Sequence, residues 1–357
     1  MARGESRAIS RESILIAGLR GSPGPGILPG VAETRMKSMD RVLTVVSRSF
    51  SLSLQLLPRK MRGGTSLAYL LARASDTLAD VADAEMDRRL GWLDSLTEDV
   101  RRGAANCGAW RADALAAMDG VPSSRAHDGE RVLLERFDDC LGWLVRMPDA
   151  EAGAIRRVFG TIVSGQRLDV ERFGEADAEK PVTLDAGELD DYTYRVAGCV
   201  GRFWTELGVV TLGEQFSAAP EEELAKLGEE FGKGLQLVNI LRDVPADLAA
   251  GRCYLPVGDP GDRGALLAVH REWLARAREK MAAGERYAGM LGGVRVRLAT
   301  ALPAMLGRET LDLLDGVGWE ELERRPKVPR SRVRRLMVEG FGRALVSSGF
   351  SGRRGFK

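Results

Sequence analysis

Gly234-Leu235-Gln236-Leu237-Val238-Asn239-Ile240-Leu241-Arg242-Asp243-Val244-Pro245-Ala246-Asp247 is the stretch from which the fold of this chain is read. Gln236, Asn239, Asp243 and Asp247 recur at steps of three, four and four, the spacing that stacks side chains on one face of an α-helix. Most positions between them are apolar, so the helix carries a single polar stripe on an otherwise buried surface. A desolvated carboxylate is costly unless it is paired, protonated or bound to a cation.

A second stretch has the same design. In Tyr69-Leu70-Leu71-Ala72-Arg73-Ala74-Ser75-Asp76-Thr77-Leu78-Ala79-Asp80, steps of four, three and four align Tyr69, Arg73, Asp76 and Asp80 on one helical face among apolar neighbours. Each stripe ends in Asp-x-x-x-Asp. Such a pair, alone, is common on solvated helix faces. Two of them in apolar helices, each preceded by an arginine, form a narrower pattern. Like carboxylates one turn apart repel, and more strongly when desolvated. Hard divalent ions that keep water and phosphate oxygens as further ligands can bridge them. Arg73 and Arg242 add guanidinium forks suited to phosphate. A magnesium diphosphate satisfies both signs.

Outward from these stripes the three- and four-residue apolar period continues, and alternating β-branched runs are scarce, so the chain reads as all-α. Helices are predicted over roughly 35–56, 62–82, 86–102, 109–118, 129–146, 149–170, 186–212, 220–248, 262–289, 291–314 and 331–347. Gly- and Pro-bearing breaks at Asp119–Pro122, Gly174–Pro181 and Pro256–Gly264 separate them. The run Gly21–Gly30 cannot continue a helix, so the organisation expected is a flexible tail over 1–31, one helical domain over 32–347 and a basic tail over 348–357.

Opposite charges nearly cancel, 52 Lys+Arg against 51 Asp+Glu, which argues against nucleic acid as a partner. Cys107, Cys140, Cys199 and Cys253 form no metal or redox spacing and read as free thiols in a reducing cytoplasm. His127 and His270 lie in separate regions and read as surface or half-buried histidines, too few for a histidine triad or a zinc site. No run reaches roughly 18 uninterrupted apolar residues, so no membrane-spanning helix is expected. The arginine-rich segment after Arg324, interspersed with Leu336, Met337, Val338 and Phe341, reads as a basic amphipathic helix. Such a helix can pack on the body, attract an anionic membrane face, or both.

Ser47-Arg48-Ser49-Phe50, Asp76-Thr77-Leu78-Ala79-Asp80, Tyr194-Arg195-Val196-Ala197-Gly198, and the second motif continuing through Gly251-Arg252-Cys253-Tyr254-Leu255-Pro256 resemble the squalene/phytoene synthase family in order and spacing. The resemblance covers residues 40–345 approximately and is most like a bacterial squalene synthase. It implies an isoprenoid-synthase helical bundle around a deep apolar cavity, with the aspartate motifs facing each other at its mouth. It implies Asp76, Asp80, Asp243 and Asp247 as ligands of magnesium or manganese, and Arg73, Asn239 and Arg242 as diphosphate- or metal-contacting groups. Ser49 and Phe50 match a substrate-facing helix, and Tyr69, Tyr194, Gln236 and Tyr254 match catalytic positions near a developing carbocation. Apolar stretches such as Thr161–Gly165 and Val196–Val210 would line the cavity.

Gln166, Arg167 and Asp169 match more weakly, at polar positions of a cavity helix. Tyr192 can stand in for Tyr194 if the helix is rotated. Eukaryotic squalene synthases often place a tyrosine immediately before the Val-Ala-Gly run, where this chain has Arg195, so the resemblance leaves open which tyrosine handles the proton. The activity implied is head-to-head condensation of two farnesyl diphosphates through presqualene diphosphate to squalene. Phytoene or dehydrosqualene formation without NADPH reduction is the alternative, and a head-to-tail prenyl synthase or terpene cyclase a more distant one. NADPH is implied if squalene is the product, although no GxGxxG follows a strand. The cytoplasm, and the inner face of its membrane, is the compartment these features suggest.

Overall fold

The computed structural model describes residues 42, 43, 46, 54–81, 84–103, 109–119 and 125–351. Ser49, Phe50, Cys107 and the expected N-terminal tail lie outside these residues. The described chain is helical apart from one two-residue bridge.

Helix α1 (Arg59–Ala79) follows Pro58, α2 (Met86–Arg102) ends on Gly103 in the left-handed conformation, and α3 (Ala109–Met118) comes next. Helices α4 (Arg125–Glu135) and α5 (Phe137–Val145) divide what reads from sequence as one helix, because the apolar period runs unbroken through the interruption at Arg136. Helix α6 (Asp149–Phe173) starts after Pro148. Strand β1 (Val182–Thr183) leads to α7 (Ala186–Thr193), whose start is fixed by a capping box between Asp185 and Glu188. The run Tyr194–Gly198 is a π-helical turn, after which α8 (Cys199–Leu212) continues the helix. Helix α9 (Glu221–Ala249) follows Pro220, and β2 (Arg252–Cys253) pairs in parallel with β1, a bridge too short for alternation to reveal. Then come α10 (Arg263–Met290), capped by the Asp262 side chain, α11 (Val294–Leu313), the short α12 (Trp319–Glu323) and α13 (Arg330–Ser351).

Helix α9 is the hub, packing against α8, α10, α11, α12 and the π-helical turn, while α1 packs on α2, α6 and α8. Backbones touch where α8 crosses α9: a Cβ added at Gly201 would lie 1.8 Å from the Gly228 carbonyl oxygen, and one at Gly232 would lie 2.2 Å from that of Ala197. Gly165 of α6 also lies against the π-helical turn, where an added Cβ would be 2.8 Å from the Arg195 and Val196 side chains. The first stripe, the Val-Ala-Gly run and the second stripe are therefore drawn into one packed unit.

Pro245 lies inside α9 and has no N–H to give to the carbonyl of Leu241, one turn earlier. His270 of α10 takes that role, its Nε2 lying 3.0 Å from the Leu241 oxygen. This corrects the expectation of a surface or half-buried histidine, since His270 is only 2% exposed. The orphan carbonyl left by the proline supplies the reason for its burial. The pairing requires the proton on Nε2, and burial lowers the ring's pKa from 6.5, keeping it neutral. His270→Leu is expected to cost about 1–3 kcal/mol in urea denaturation, the cost of an unsatisfied buried carbonyl. Pro245→Ala, which restores the backbone donor, is expected to recover most of that loss, and strictly additive effects would count against the pairing. Because the folded-state pKa is depressed, the histidine's contribution is present above 6.5 and lost as pH falls below it. The His270→Leu protein is expected to lack that part of the acid-side decline.

Cys140, Cys199 and Cys253 are free and buried. Burial pushes the thiols of Cys140 and Cys199 up to about 12 and that of Cys253 to about 11. Thiols that remain protonated are poor nucleophiles. Peptide mapping after iodoacetamide treatment of the native protein near pH 8 is expected to find these three unmodified, and rapid labelling of any of them would contradict their burial.

Candidate active site

The first stripe lies on the C-terminal half of α1. Arg73 is nearly buried, its Nη1 donating to Asp76 Oδ2 at 2.7 Å and its Nη2 to Glu130 of α4. Burial opposes the charge of Arg73, but Asp76, Glu130 and Tyr69 outweigh it and hold the guanidinium more firmly protonated than usual. Glu130 is a site residue that sequence pattern did not reveal, because its partner lies 57 positions away. The Tyr69 hydroxyl donates to the carbonyl of Val46, tying the stripe to the preceding chain.

The second stripe occupies the C-terminal half of α9. Asp243 is 4% exposed, and Arg242 grips it through two bonds of 2.9 and 2.6 Å. Arg325, which follows α12, donates to the same carboxylate from Nε at 3.0 Å, with Nη2 at 2.8 Å. Burial alone would raise the pKa of Asp243, yet Arg242 and Arg325 hold it below the ordinary carboxylate value. Asn239 gives its amide N–H to Gln236 Oε1 at 3.5 Å, while its own Oδ1 is buried without a hydrogen-bond partner. Arg325 is the second site residue missing from the sequence reading. Its only sequence signal is a basic pair, Arg324-Arg325, before a proline.

A bridge of charges joins the two regions. Tyr254 is buried, and its hydroxyl donates to Asp169 of α6 at 2.5 Å. Arg252 of β2 donates to the other oxygen of Asp169 at 3.2 Å. Arg89 of α2 is buried and donates to the carbonyl of Ala79, next to Asp80. Burial and then Arg252 lower the pKa of Arg89, against the opposing influence of Asp80 and Asp169. The end of the first stripe thereby shares one electrostatic neighbourhood with Arg252 and Tyr254. Asp247 lines a small pocket with Ile240, Val244, Arg252, Cys253, Tyr254 and Leu255.

The tyrosines divide into two settings. Tyr192 is buried and stacks on Tyr254 with ring centroids 5.0 Å apart, and Phe173 lies on Tyr254 at the same separation. Tyr194 lies beneath Lys233, whose Nζ is 5.7 Å from the ring centroid and paired with Asp190 at 2.9 Å. The tyrosine beside Tyr254 is therefore Tyr192, and Tyr194 belongs to the Lys233 cluster. Of the weaker candidates, Asp169 joins the site. Arg167 instead pairs with Asp94 and Glu171 outside this network, and the Gln166 Oε1 is buried without a partner.

Among the described residues no cluster of three or more Asp, Glu, His or Cys side chains is poised to hold a metal ion by itself. The donors do suit an ion that a second ligand completes. The unpartnered Asn239 oxygen lies one turn from Asp243, and Mg2+ needs only one or two protein carboxylates when phosphate and water supply the remainder.

Solved structures of the same architecture include TcSQS in complex with the ligand E5700, with a TM-score of 0.68 at 20% identity over 88% of this chain and 91% of that one. This similarity places the protein in the isoprenoid-synthase class of all-α folds. Residues 43–332 match the family described as squalene/phytoene synthase, and the chain belongs to that family. A presqualene diphosphate synthase of Rhodopseudomonas palustris is 30% identical over 208 residues, which span 58% of each protein. A phytoene synthase of Thermus thermophilus is 29% identical over 316 residues, 84% of this chain and 89% of that protein.

Proposed function

We propose that this protein joins two allylic diphosphates head to head, condensing two farnesyl diphosphates through presqualene diphosphate to squalene. The observation that carries the proposal is the second motif. There two guanidiniums, Arg242 within α9 and Arg325 reaching in from the connection after α12, meet at Asp243, one helical turn from the buried Asn239 oxygen, offering cations for a diphosphate and oxygens for its metal. Asp76, Asp80, Asn239, Asp243 and Asp247 would hold Mg2+ or Mn2+, which when bound supplies Lewis-acid neutralisation of the leaving diphosphate.

Arg73 and Arg242 bind the same oxygens and stabilise the negative charge that develops as the allylic C–O bond breaks. The resulting carbocation is attacked by the double bond of the second substrate, and a proton leaves as the cyclopropane closes. The stacked rings of Tyr192, Tyr254 and Phe173 offer π faces to positive charge, each worth about 1–2 kcal/mol when desolvated. Asp169 fixes the hydroxyl direction of Tyr254. Opening the cyclopropyl diphosphate requires a second loss of diphosphate, and NADPH, if it binds as the reductant, would supply the hydride that turns the resulting carbocation into squalene.

The similarity to a presqualene diphosphate synthase supports the C15 substrate, and the longer match to a phytoene synthase favours C20 condensation as the second reading. Incubating the protein with farnesyl or geranylgeranyl diphosphate, Mg2+, and with or without NADPH, then identifying the lipid, decides between them. Squalene, or presqualene diphosphate when NADPH is withheld, is expected from the C15 substrate. Phytoene from the C20 substrate would replace the squalene assignment, and no product from either would remove the whole reading. No helix among the described residues is long and apolar enough to cross a membrane. Peripheral attachment to anionic lipid is proposed through Arg334, Arg335 and Val338, exposed on α13, whereas Arg332 of the same helix is engaged by Glu309 and Glu339.

A further inference from the structure

At the second aspartate motif two guanidiniums, Arg242 and Arg325, converge on the single carboxylate of Asp243. Arg242 is built into α9 beside its partner. Arg325 reaches Asp243 from 82 positions away, on the connection between α12 and α13. It is also the one non-glycine among the described residues with positive φ, at 50°. That conformation is disfavoured for an arginine and persists only where surrounding contacts hold it. Its two bonds to Asp243 are such contacts.

A divalent cation approaching Asp243 meets two positive groups already on its oxygens. A diphosphate reverses that balance, because its oxygens offer guanidinium a competing anion of higher charge. We propose that Arg325 is a latch on the second aspartate motif: it occupies Asp243 until a diphosphate draws it away, so this motif takes its divalent cation only together with the anion. Asp243 thereby stays neutralised at its buried position until the anion arrives. The inference rests on the metal-binding role proposed above for Asp243.

Counting bound Mn2+ by electron paramagnetic resonance, with inorganic pyrophosphate as the anion, tests the latch without turnover. In the unmodified protein, Mn2+ at the second motif is expected only when pyrophosphate is present. Arg325→Asn removes the cation and tolerates positive φ, and it is expected to bind one further Mn2+ without pyrophosphate, roughly tenfold or more tighter than the unmodified protein. Adding Asp243→Asn is expected to abolish that gain. Arg325→Gln serves as a second variant, and circular dichroism confirms that each is folded.

An unchanged Mn2+ count in both variants, or a gain that survives Asp243→Asn, overturns the latch. Failure of the unmodified protein to bind Mn2+ even with pyrophosphate overturns both the latch and the metal-dependent reading. An Arg325-dependent gain in a protein that makes no prenyl product supports the latch and removes only the proposed reaction.

Discussion

Asp243→Asn is expected to lower kcat/KM by roughly 10³-fold or more, with helix content unchanged by circular dichroism. The amide keeps the shape of the side chain and one acceptor oxygen for Arg242 and Arg325, but loses the charge that a divalent cation requires. Alanine is the less informative change at this position. It would leave two guanidiniums facing each other where Asp243 is only 4% exposed, and removing one partner of a buried pair costs about 3–5 kcal/mol. Loss of activity in Asp243→Ala would then mix chemistry with unfolding. Product formation measured with saturating Mg2+ and substrate separates the effects for the asparagine variant. Retention of more than about a tenth of the activity would show that Asp243 is not needed for metal-assisted ionisation.

Gly201→Ala is expected to produce the largest loss of stability of any single methyl addition considered, about 3 kcal/mol or more, read as a fall in Tm of about 6 °C or more. The new carbon would lie 1.8 Å from the carbonyl oxygen of Gly228, and that atom belongs to backbone that cannot rotate away. Helices α8 and α9 would have to separate. Since α9 bears Asn239 and Asp243, and the π-helical turn leading into α8 is packed against it, the displacement is expected to reduce activity beyond the loss of folded protein. A glycine without such a neighbour provides the control: a Cβ at Gly160 of α6 meets nothing within 4 Å, and Gly160→Ala is expected to leave Tm unchanged or raised. Equal behaviour of the two variants would show that the α8–α9 contact yields without cost.

Periodicity carried the helices well because a helix buried on one face repeats its apolar residues whatever its neighbours are. It failed where the period survives a change of backbone. The interruption at Arg136 and the π-helical turn at Tyr194–Gly198 both lie within continuous apolar patterns. It also failed for β1 and β2, whose two residues each are too few for alternation to register. The first stripe was legible as a contact, since Arg73 and Asp76 lie three positions apart and meet as helical geometry allows.

What the sequence by itself determined is the all-α class and the membership of each stripe, because residues three and four apart share a helical face in any environment. The tertiary structure alone decided what each stripe meets. Glu130 reaches Arg73, Asp169 reaches Tyr254, His270 reaches the carbonyl that Pro245 leaves open, and Arg325 reaches Asp243, across separations from 29 to 85 positions. The choice of Tyr192 over Tyr194 as the neighbour of Tyr254 belongs with these contacts. Two positions apart, these tyrosines point to different sides of the chain, and which of them meets Tyr254 is set by how the segment packs, which residue spacing does not record.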